Sequence, residues 1–230
     1  MADLEKKDVC VLIPAYNEGK NIGRVARQVM DLGFPLLVID DGSRDNTLEA
    51  LKELNVEVLA SPANRGKGAS MSRGFEWFLG KPYEALILMD ADGQHETKEL
   101  NLFLTALNRT GWDLIIGNRM NHPENMPFIR RATNRLLSRI LSAITRQGIP
   151  DSQCGYRAAR RRLIEKISLR TLRFEIESEM LLEAARLGFS IGSVPIRCLY
   201  AGETSQIHPL RDTLRFFRFL FSYIFSEKSL

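Results

Sequence analysis

Asp90-Ala91-Asp92 is the densest chemical signal in the sequence. Two carboxylates one residue apart at the end of a strand can converge on a hard cation. Mg2+ or Mn2+ suits such a site, because both take oxygen ligands, keep several waters and bridge substrate phosphates. Gln94 adds an amide oxygen to the same turn, either on the metal or on a metal-bound water. A lone DxD is common, and its context makes it specific. It follows the apolar run Ala85-Leu86-Ile87-Leu88-Met89, which reads as a buried strand.

Other polar residues also close apolar runs. Asn17 and Glu18 follow Val9–Ile13, Asp40 and Asp41 follow Leu36–Ile39, and Asn118 and Arg119 follow Leu114–Gly117. Val56–Leu59 is a further strand, and Ser190–Cys198 another. Helical spacing is expected over Asn21–Met30, Thr47–Leu54, Ala69–Leu79, Lys98–Leu107 and Glu175–Leu187. Strands alternating with helices of about ten residues imply right-handed crossovers and a mostly parallel α/β sheet. Ligands of such sheets bind beyond the carboxyl ends of the strands, where these polar residues fall. One strand-end acid is often a turn former; several on one edge point to a shared site.

The bulk numbers agree with one such domain. The chain has 230 residues, 44% hydrophobic and 26% charged, with a net charge of +4. Between Arg119 and Arg173, 13 Arg and Lys face three acids, a local excess of +10. Such a block is either a solvated surface or a docking site for a phosphate, an anionic membrane or a nucleic acid. Beyond charge no nucleic-acid recognition motif is present, so that partner is not expected. Cys10, Cys154 and Cys198 form no CxxC pair, which fits a reducing compartment rather than a disulfide or zinc framework. The start MADLEKKDV lacks a signal-peptide core, and no apolar run reaches the length of a membrane span. The expected location is cytoplasmic and peripheral to the membrane.

Two stretches in the second half are amphipathic. Thr133, Leu136, Leu137, Ile140, Leu141 and Ile144 follow helical spacing, with Arg131, Arg135, Arg139 and Arg146 between them. The tail from Leu210 to Phe225 carries Phe216, Phe217, Phe219, Phe221 and Phe225 among Arg211, Arg215 and Arg218. Its plain reading is a core-packing helix; its functional reading is a helix lying in the membrane interface.

LMDADG resembles the DxDG motif of aspartate-nucleophile phosphatases. That family places the motif near the N-terminus, follows it with Thr or Val, and needs a later acidic pair. Here three strand–helix units precede it, Gln94 follows it, and no GDxxxD-like pair appears downstream. A different family fits the edge residues together. Ile13-Pro14-Ala15-Tyr16-Asn17-Glu18, Asp40-Asp41-Gly42-Ser43, Asn64-Arg65-Gly66-Lys67-Gly68 and Asp90-Ala91-Asp92 resemble, in order and spacing, the family 2 glycosyltransferases of GT-A fold. The likeness covers about residues 8–120. Gly117-Asn118-Arg119, Pro127-Phe128-Ile129-Arg130-Arg131, Asp151–Arg157 and Ala201-Gly202-Glu203 narrow it to the dolichol-phosphate mannosyltransferase branch, which glycosylates polyprenyl phosphates.

That resemblance implies donor contacts from Pro14, Tyr16, Glu18, Asp40, Asp41, Lys67, Asp90, Ala91, Asp92 and Gln94, with the metal on Asp90, Asp92 and Gln94. It implies that Arg119 and Arg130 bind the lipid phosphate, so that Asp92, Arg119 and Arg130 carry the reaction. The family often has a small hydroxyl residue four positions after the second Arg; this chain has Asn134. Relatives commonly carry Ser-Lys where Ser205-Gln206 stands here, which removes a diphosphate contact that His208 or Arg197 would have to replace.

The expected organisation is a catalytic domain over 1–207, divided near residue 120 into a nucleotide-sugar half and an acceptor half, with an interface helix over 208–230. The expected reaction is inverting transfer of a hexose to a polyprenyl phosphate, mannose from GDP-mannose first and glucose from UDP-glucose next. Two rivals are a transferase acting on a sugar hydroxyl and a non-catalytic membrane adaptor. The first rival needs a carboxylate base, for which Glu175, Glu177 and Glu179 are candidates, with Glu177 read as a solvated charge. Asp151 is read as a turn residue or as a shaper of the acceptor site, and His95 is given no catalytic role.

Overall fold

Most strands form where the sequence is apolar without alternation. Val9–Ala15 (β1) is buried at every position except Pro14, as a strand covered on both faces requires. Leu36–Asp40 (β2) is buried throughout, and Glu57–Ala60 (β3) is exposed at both ends. Ala85–Leu88 (β4), Leu114–Asn118 (β5) and Arg157–Arg160 (β6) are buried throughout, and Ile191–Pro195 (β7) ends in a proline. The computed structural model describes residues 3–123, 126–173, 175–198 and 209–225.

These strands make one sheet in the order β3-β2-β1-β4-β6-β5-β7. β1 pairs in parallel with β2 and β4, β2 with β3, and β5 with β7. β6 alone runs antiparallel, between β4 and β5. All the other strands therefore point their carboxyl ends to one edge. Register sets that edge finely: Ala15 faces Asp40, and Leu12 faces Leu88. The mostly parallel α/β sheet expected from the sequence is present.

Helices cover the sheet through apolar stripes. Ile22–Asp31 (α1) buries Ile22, Val25, Ala26 and Val29, the i, i+3, i+4, i+7 pattern of one face. Lys67–Leu79 (α2) packs on β1 and β2, and Leu100–Arg109 (α3) on β5, β6 and β7. Phe128–Thr145 (α4) packs on Ile176–Arg186 (α6), after the single turn Arg161–Ile164 (α5). Pro209–Ile224 (α7) lies against α4, with Phe216 and Leu220 in the core. No helix among the described residues is long and apolar enough to cross a membrane.

Two expectations about elements are corrected, and one strand was not foreseen. The helix expected over 47–54 is a single 3-10 turn, Glu49–Leu51. Thr47 is the reason: its hydroxyl accepts the Glu18 N–H, and its N–H donates to Asp45, so the chain is tied down in a turn before a helix can start. The basic helix starts at Phe128, directly after Pro127, rather than near Thr133. Finally, β6 was not legible as a strand. Its sequence, RAAR, has no apolar run, yet Arg157 is fully buried and donates to the carbonyls of Cys154, Glu177 and Ser152. Arg160 does the same for Trp112, Leu107 and Thr110. Part of the basic excess is thus spent inside the fold, since Arg161 also caps the carbonyls of Leu79, Lys81 and Tyr83, and Arg162 pairs with Asp113.

Candidate active site at the carboxyl edge of the sheet

The loops after β1 and β2 are stitched together. Asn17, in the left-handed region at φ 56°, donates its N–H to Ser43 Oγ, and its side-chain oxygen accepts the Arg44 N–H. The Gly19 N–H donates to Asp45. Pro14, Tyr16 and Glu18 are thereby held beside Asp40 and Asp41, and all three are part-buried.

Asp40 and Asp41 do different work. Asp41 accepts the N–H groups of Arg65 and Gly66 at 2.9 and 2.8 Å, which fixes the loop that leads into α2. Gly66 is required there: its φ is +96°, and an added Cβ would stand 2.3 Å from the Leu172 carbonyl oxygen. Asp40 accepts the Gly42 and Ser43 N–H groups on Oδ2, while Oδ1 is buried with no hydrogen-bond partner. An unsatisfied buried carboxylate oxygen is costly, and a ligand that donates an N–H or O–H to it recovers that cost.

Lys67, the first residue of α2, reaches Asp90 Oδ1 at 2.6 Å and Glu177 Oε1 at 2.6 Å. Burial alone would raise the Asp90 pKa. The neighbouring positive charge of Lys67, with lesser help from His95 and Arg119, outweighs it and holds the carboxyl at about 2. Burial pushes His95 down to about 4, so it is neutral at pH 7; its ring stacks on Tyr156 at 4.7 Å, and its Nδ1 accepts the Asp90 N–H. Asp92 Oδ1 accepts the Gln94 N–H, and Gln94 Oε1 accepts a bond from Cys198 Sγ. Ala91 is buried between the two acids.

The donor set of Asp90, Asp92 and Gln94 fits a hard divalent ion. It is all oxygen, two members are carboxylates, and Asp90 is held ionised. No group of three or more His, Cys, Asp or Glu poised to hold a metal exists among the described residues. Two carboxylates and an amide suit an ion that completes its shell with water and ligand phosphates.

Arg119 follows β5 and is gripped by Asp151. The carboxylate is fully buried and takes Nε at 2.8 Å, Nη2 at 2.9 Å and the Arg119 backbone N–H at 3.0 Å. Asn134 Nδ2 donates to the same carboxylate at 2.7 Å, and Ser138 Oγ donates to Asn134 Oδ1. Burial would raise the Asp151 pKa, but Arg119 and Asn134 hold it below the usual range. Arg130 sits in the first turn of α4, half-buried, and its side chain has no hydrogen-bond or ion-pair partner among the described residues.

The structure thus joins Lys67 to Asp90, and Arg119 to Asn134 through Asp151. It corrects Glu177, read from sequence as a solvated charge: the side chain is buried and paired with Lys67. Glu179 is buried too, and accepts four hydrogen bonds from Arg170 and Thr171. Sequence reasoning missed Gly155, whose added Cβ would stand 2.4 Å from Asp90 Oδ2. Its place in Cys154-Gly155-Tyr156-Arg157 was the available signal. Ala201-Gly202-Glu203, Ser205, Gln206 and His208 lie outside the described residues, as does the Arg211 side chain.

Comparison with known proteins bears on the family and the fold. Residues 10–168 match the family model described as Glycosyl transferase family 2. The polyprenol monophosphomannose synthase of Mycolicibacterium smegmatis is 35% identical over 202 residues, covering 81% of this chain and 75% of the relative. The UDP-N-acetylglucosamine–dolichyl-phosphate N-acetylglucosaminyltransferase of Methanococcus voltae is 29% identical over 223 residues, covering 87% and 88%. Among solved structures, glucosyl-3-phosphoglycerate synthase from Mycobacterium tuberculosis, in complex with Mn2+, UDP and phosphoglyceric acid, superposes with a TM-score of 0.73 at 19% identity, covering 97% of this chain and 79% of that one.

Proposed function

The chain belongs to glycosyl transferase family 2, and from that premise we propose that it transfers a hexose, with inversion, from a nucleotide sugar to a polyprenyl phosphate. It is a glycosyltransferase of GT-A fold. The observation that carries the acceptor class is the state of the carboxylates on α6. A hydroxyl acceptor needs a general base, whereas a phosphate acceptor arrives ionised at pH 7 and needs none. Glu177 is committed to Lys67, and Glu179 to the 170–171 backbone, which leaves Glu175, at the N-cap of α6, as the one α6 candidate a hydroxyl acceptor could use. Arg119 follows β5 at this edge and Arg130 stands in the first turn of α4, and the planar fork of arginine suits phosphate.

Roles follow from position. The unsatisfied Asp40 Oδ1 takes an N–H or O–H from the nucleoside, with Pro14, Tyr16, Glu18 and Asp41 shaping that end. Lys67 meets the diphosphate. Asp90, Asp92 and Gln94 would hold Mg2+ or Mn2+, whose positive charge stabilises the leaving nucleoside diphosphate. Arg119, oriented by Asp151, and Arg130, from the first turn of α4, bind the acceptor phosphate; Asn134 contributes through Asp151. Mannose from GDP-mannose is the first choice of donor. UDP-glucose is next, and the mixed sugar names of the relatives keep N-acetylglucosamine in the screen.

The membrane supplies the lipid acceptor. On α7, Phe217, Phe221, Ile224 and Phe225 are exposed, while Phe216 and Leu220 face the core. On α4, Phe128, Ile129, Leu136 and Ile144 are exposed among arginines. Exposed aromatics with interleaved cations support a peripheral seat on an anionic, cytoplasmic membrane face. The catalytic unit is residues 1–207, its donor half about 1–120 and its acceptor half about 121–207, and 208–230 is the interface segment. The deciding experiment offers labelled GDP-mannose, UDP-glucose and UDP-N-acetylglucosamine with Mn2+ or Mg2+ to a short-chain prenyl phosphate and to free glycans. Transfer to glycan hydroxyls but not to the prenyl phosphate would overturn the proposal.

A further inference from the structure

Three elements converge on one ammonium. Lys67 opens α2, Asp90 follows β4 and Glu177 is in the first turn of α6, and the Lys67 Nζ is 2.6 Å from an oxygen of each acid. The base of Lys67 cannot drift, because the Gly68 N–H donates to the Leu172 carbonyl and Asp41 holds the Gly66 N–H. An added Cβ on Gly68 would stand 2.2 Å from the Thr171 carbonyl oxygen, and Glu179 in turn pins Arg170 and Thr171. The backbone on both sides of Lys67 is thus tied down, and its side chain bridges the two carboxylates.

Asp90 is also the acid assigned above to a divalent ion. An ammonium and a divalent cation on one carboxylate repel each other, so the ion and Lys67 compete for Asp90. For an ammonium only 16% exposed, giving up a carboxylate partner is costly. Glu177 removes that cost, because it already contacts Lys67 from the other side.

Building on the metal reading given above, we propose that Lys67 is an internal cation that occupies Asp90 until a divalent ion displaces it. Glu177 is the positioning residue that keeps the displaced ammonium at the edge, available to the donor diphosphate. Together Asp90, Asp92, Lys67 and Glu177 carry a formal charge of −2. Removing the Lys67 charge makes the set −3, and neutralising Glu177 makes it −1. Metal affinity should follow that charge, and the paired substitution should cancel.

The test is Mn2+ binding to purified protein, read from the free-ion electron paramagnetic resonance signal, with and without UDP or GDP and with no turnover involved. Without nucleotide, Lys67→Met should bind Mn2+ about tenfold tighter and Glu177→Gln about tenfold weaker. The double variant should return to within about threefold of the original affinity, which a merely structural role would not produce. With saturating Mn2+, both single variants should bind the nucleoside diphosphate at least about tenfold more weakly. Melting by circular dichroism identifies any variant that has lost its fold, and each remaining variant decides by itself. Unchanged or weaker Mn2+ binding in folded Lys67→Met, or unchanged binding in folded Glu177→Gln, overturns the inference while leaving the metal reading intact. If the unsubstituted protein binds no Mn2+ even with nucleotide, the metal reading fails and takes the inference with it.

Discussion

Gly155 touches Asp90 so closely that one added methyl group would stand 2.4 Å from the carboxylate oxygen Oδ2. The turn before β6 is thus the seat of the acid that follows β4. The next residue, Tyr156, stacks on His95 and packs on Phe103, and His95 accepts the Asp90 N–H. The antiparallel strand and the DxD turn form one packed unit.

Gly155→Ala should therefore push Asp90 away from its position without emptying the core. The expected result is at least about a hundredfold loss of transfer, with a melting temperature lowered by only a few degrees, since misplacement of about 1 Å has that effect on rate. Steady-state assays beside a thermal melt check this. Activity within about threefold of the original would show that the close approach does not matter.

Asp151 and Arg119 form a buried, bidentate pair. Asp151→Asn leaves the guanidinium without its counter-charge and should cost roughly 3 kcal/mol of stability. The pH dependence has a definite sign. The folded pKa of Asp151 lies below the unfolded value near 4, so its contribution is complete above about pH 4 and is lost as pH falls through the folded value. Urea titrations at neutral and acidic pH should show the two proteins converging in stability on the acid side. A constant gap across that range would contradict the assignment.

How much of this was legible from residues alone depends on what kind of force placed each one. The parallel strands were readable because runs such as Leu114-Ile115-Ile116 have no other place to go than a covered sheet. The edge acids followed from them by register. β6 was not readable, since Arg157 and Arg160 are buried only because distant carbonyls satisfy them, and hydropathy carries no record of those partners. Glu177 failed for the same reason: a charge at a helix start looks solvated until Lys67, 110 residues earlier, is brought beside it. The turn at Thr47 shows the local version, in which side-chain hydrogen bonds defeat a helical pattern.

The cysteines give a prediction that needs no substrate. Burial pushes the Cys10 and Cys154 thiols up to about 12, while Cys198 is only half-buried and bonds to Gln94. Iodoacetamide in mildly alkaline buffer should label Cys198 first, with the other two modified only after denaturant is added. Peptide mass spectrometry reads this directly, and early labelling of Cys154 would mean that the floor of the site opens in solution.

The two arginines assigned to the acceptor should behave differently when truncated. Arg130 has no partner to abandon among the described residues, so Arg130→Ala should raise the KM for prenyl phosphate about tenfold or more and leave the donor KM unchanged. Arg119→Ala should also lower the melting temperature, because it strands Asp151 in the interior. Equal losses for donor and acceptor in Arg130→Ala would remove that residue from the acceptor site.

The interface role of α7 is tested by changing one face of it. Deleting the chain from Phe216 would confuse two effects, because Phe216 and Leu220 belong to the core and Tyr223 donates to the buried Glu183. Phe221 and Phe225 are 66% and 72% exposed, so Phe221→Glu with Phe225→Glu changes the outer face and leaves the packed one. A surface change of that kind should alter stability by no more than about 0.5 kcal/mol. On vesicles containing anionic lipid, the doubly substituted protein should sediment at least about fivefold less than the original, because it loses buried apolar area and gains repulsion from the surface. Undiminished sedimentation of the folded variant would mean that α7 is not the membrane contact, and Phe128 and Ile129 on α4 would be the next residues to change.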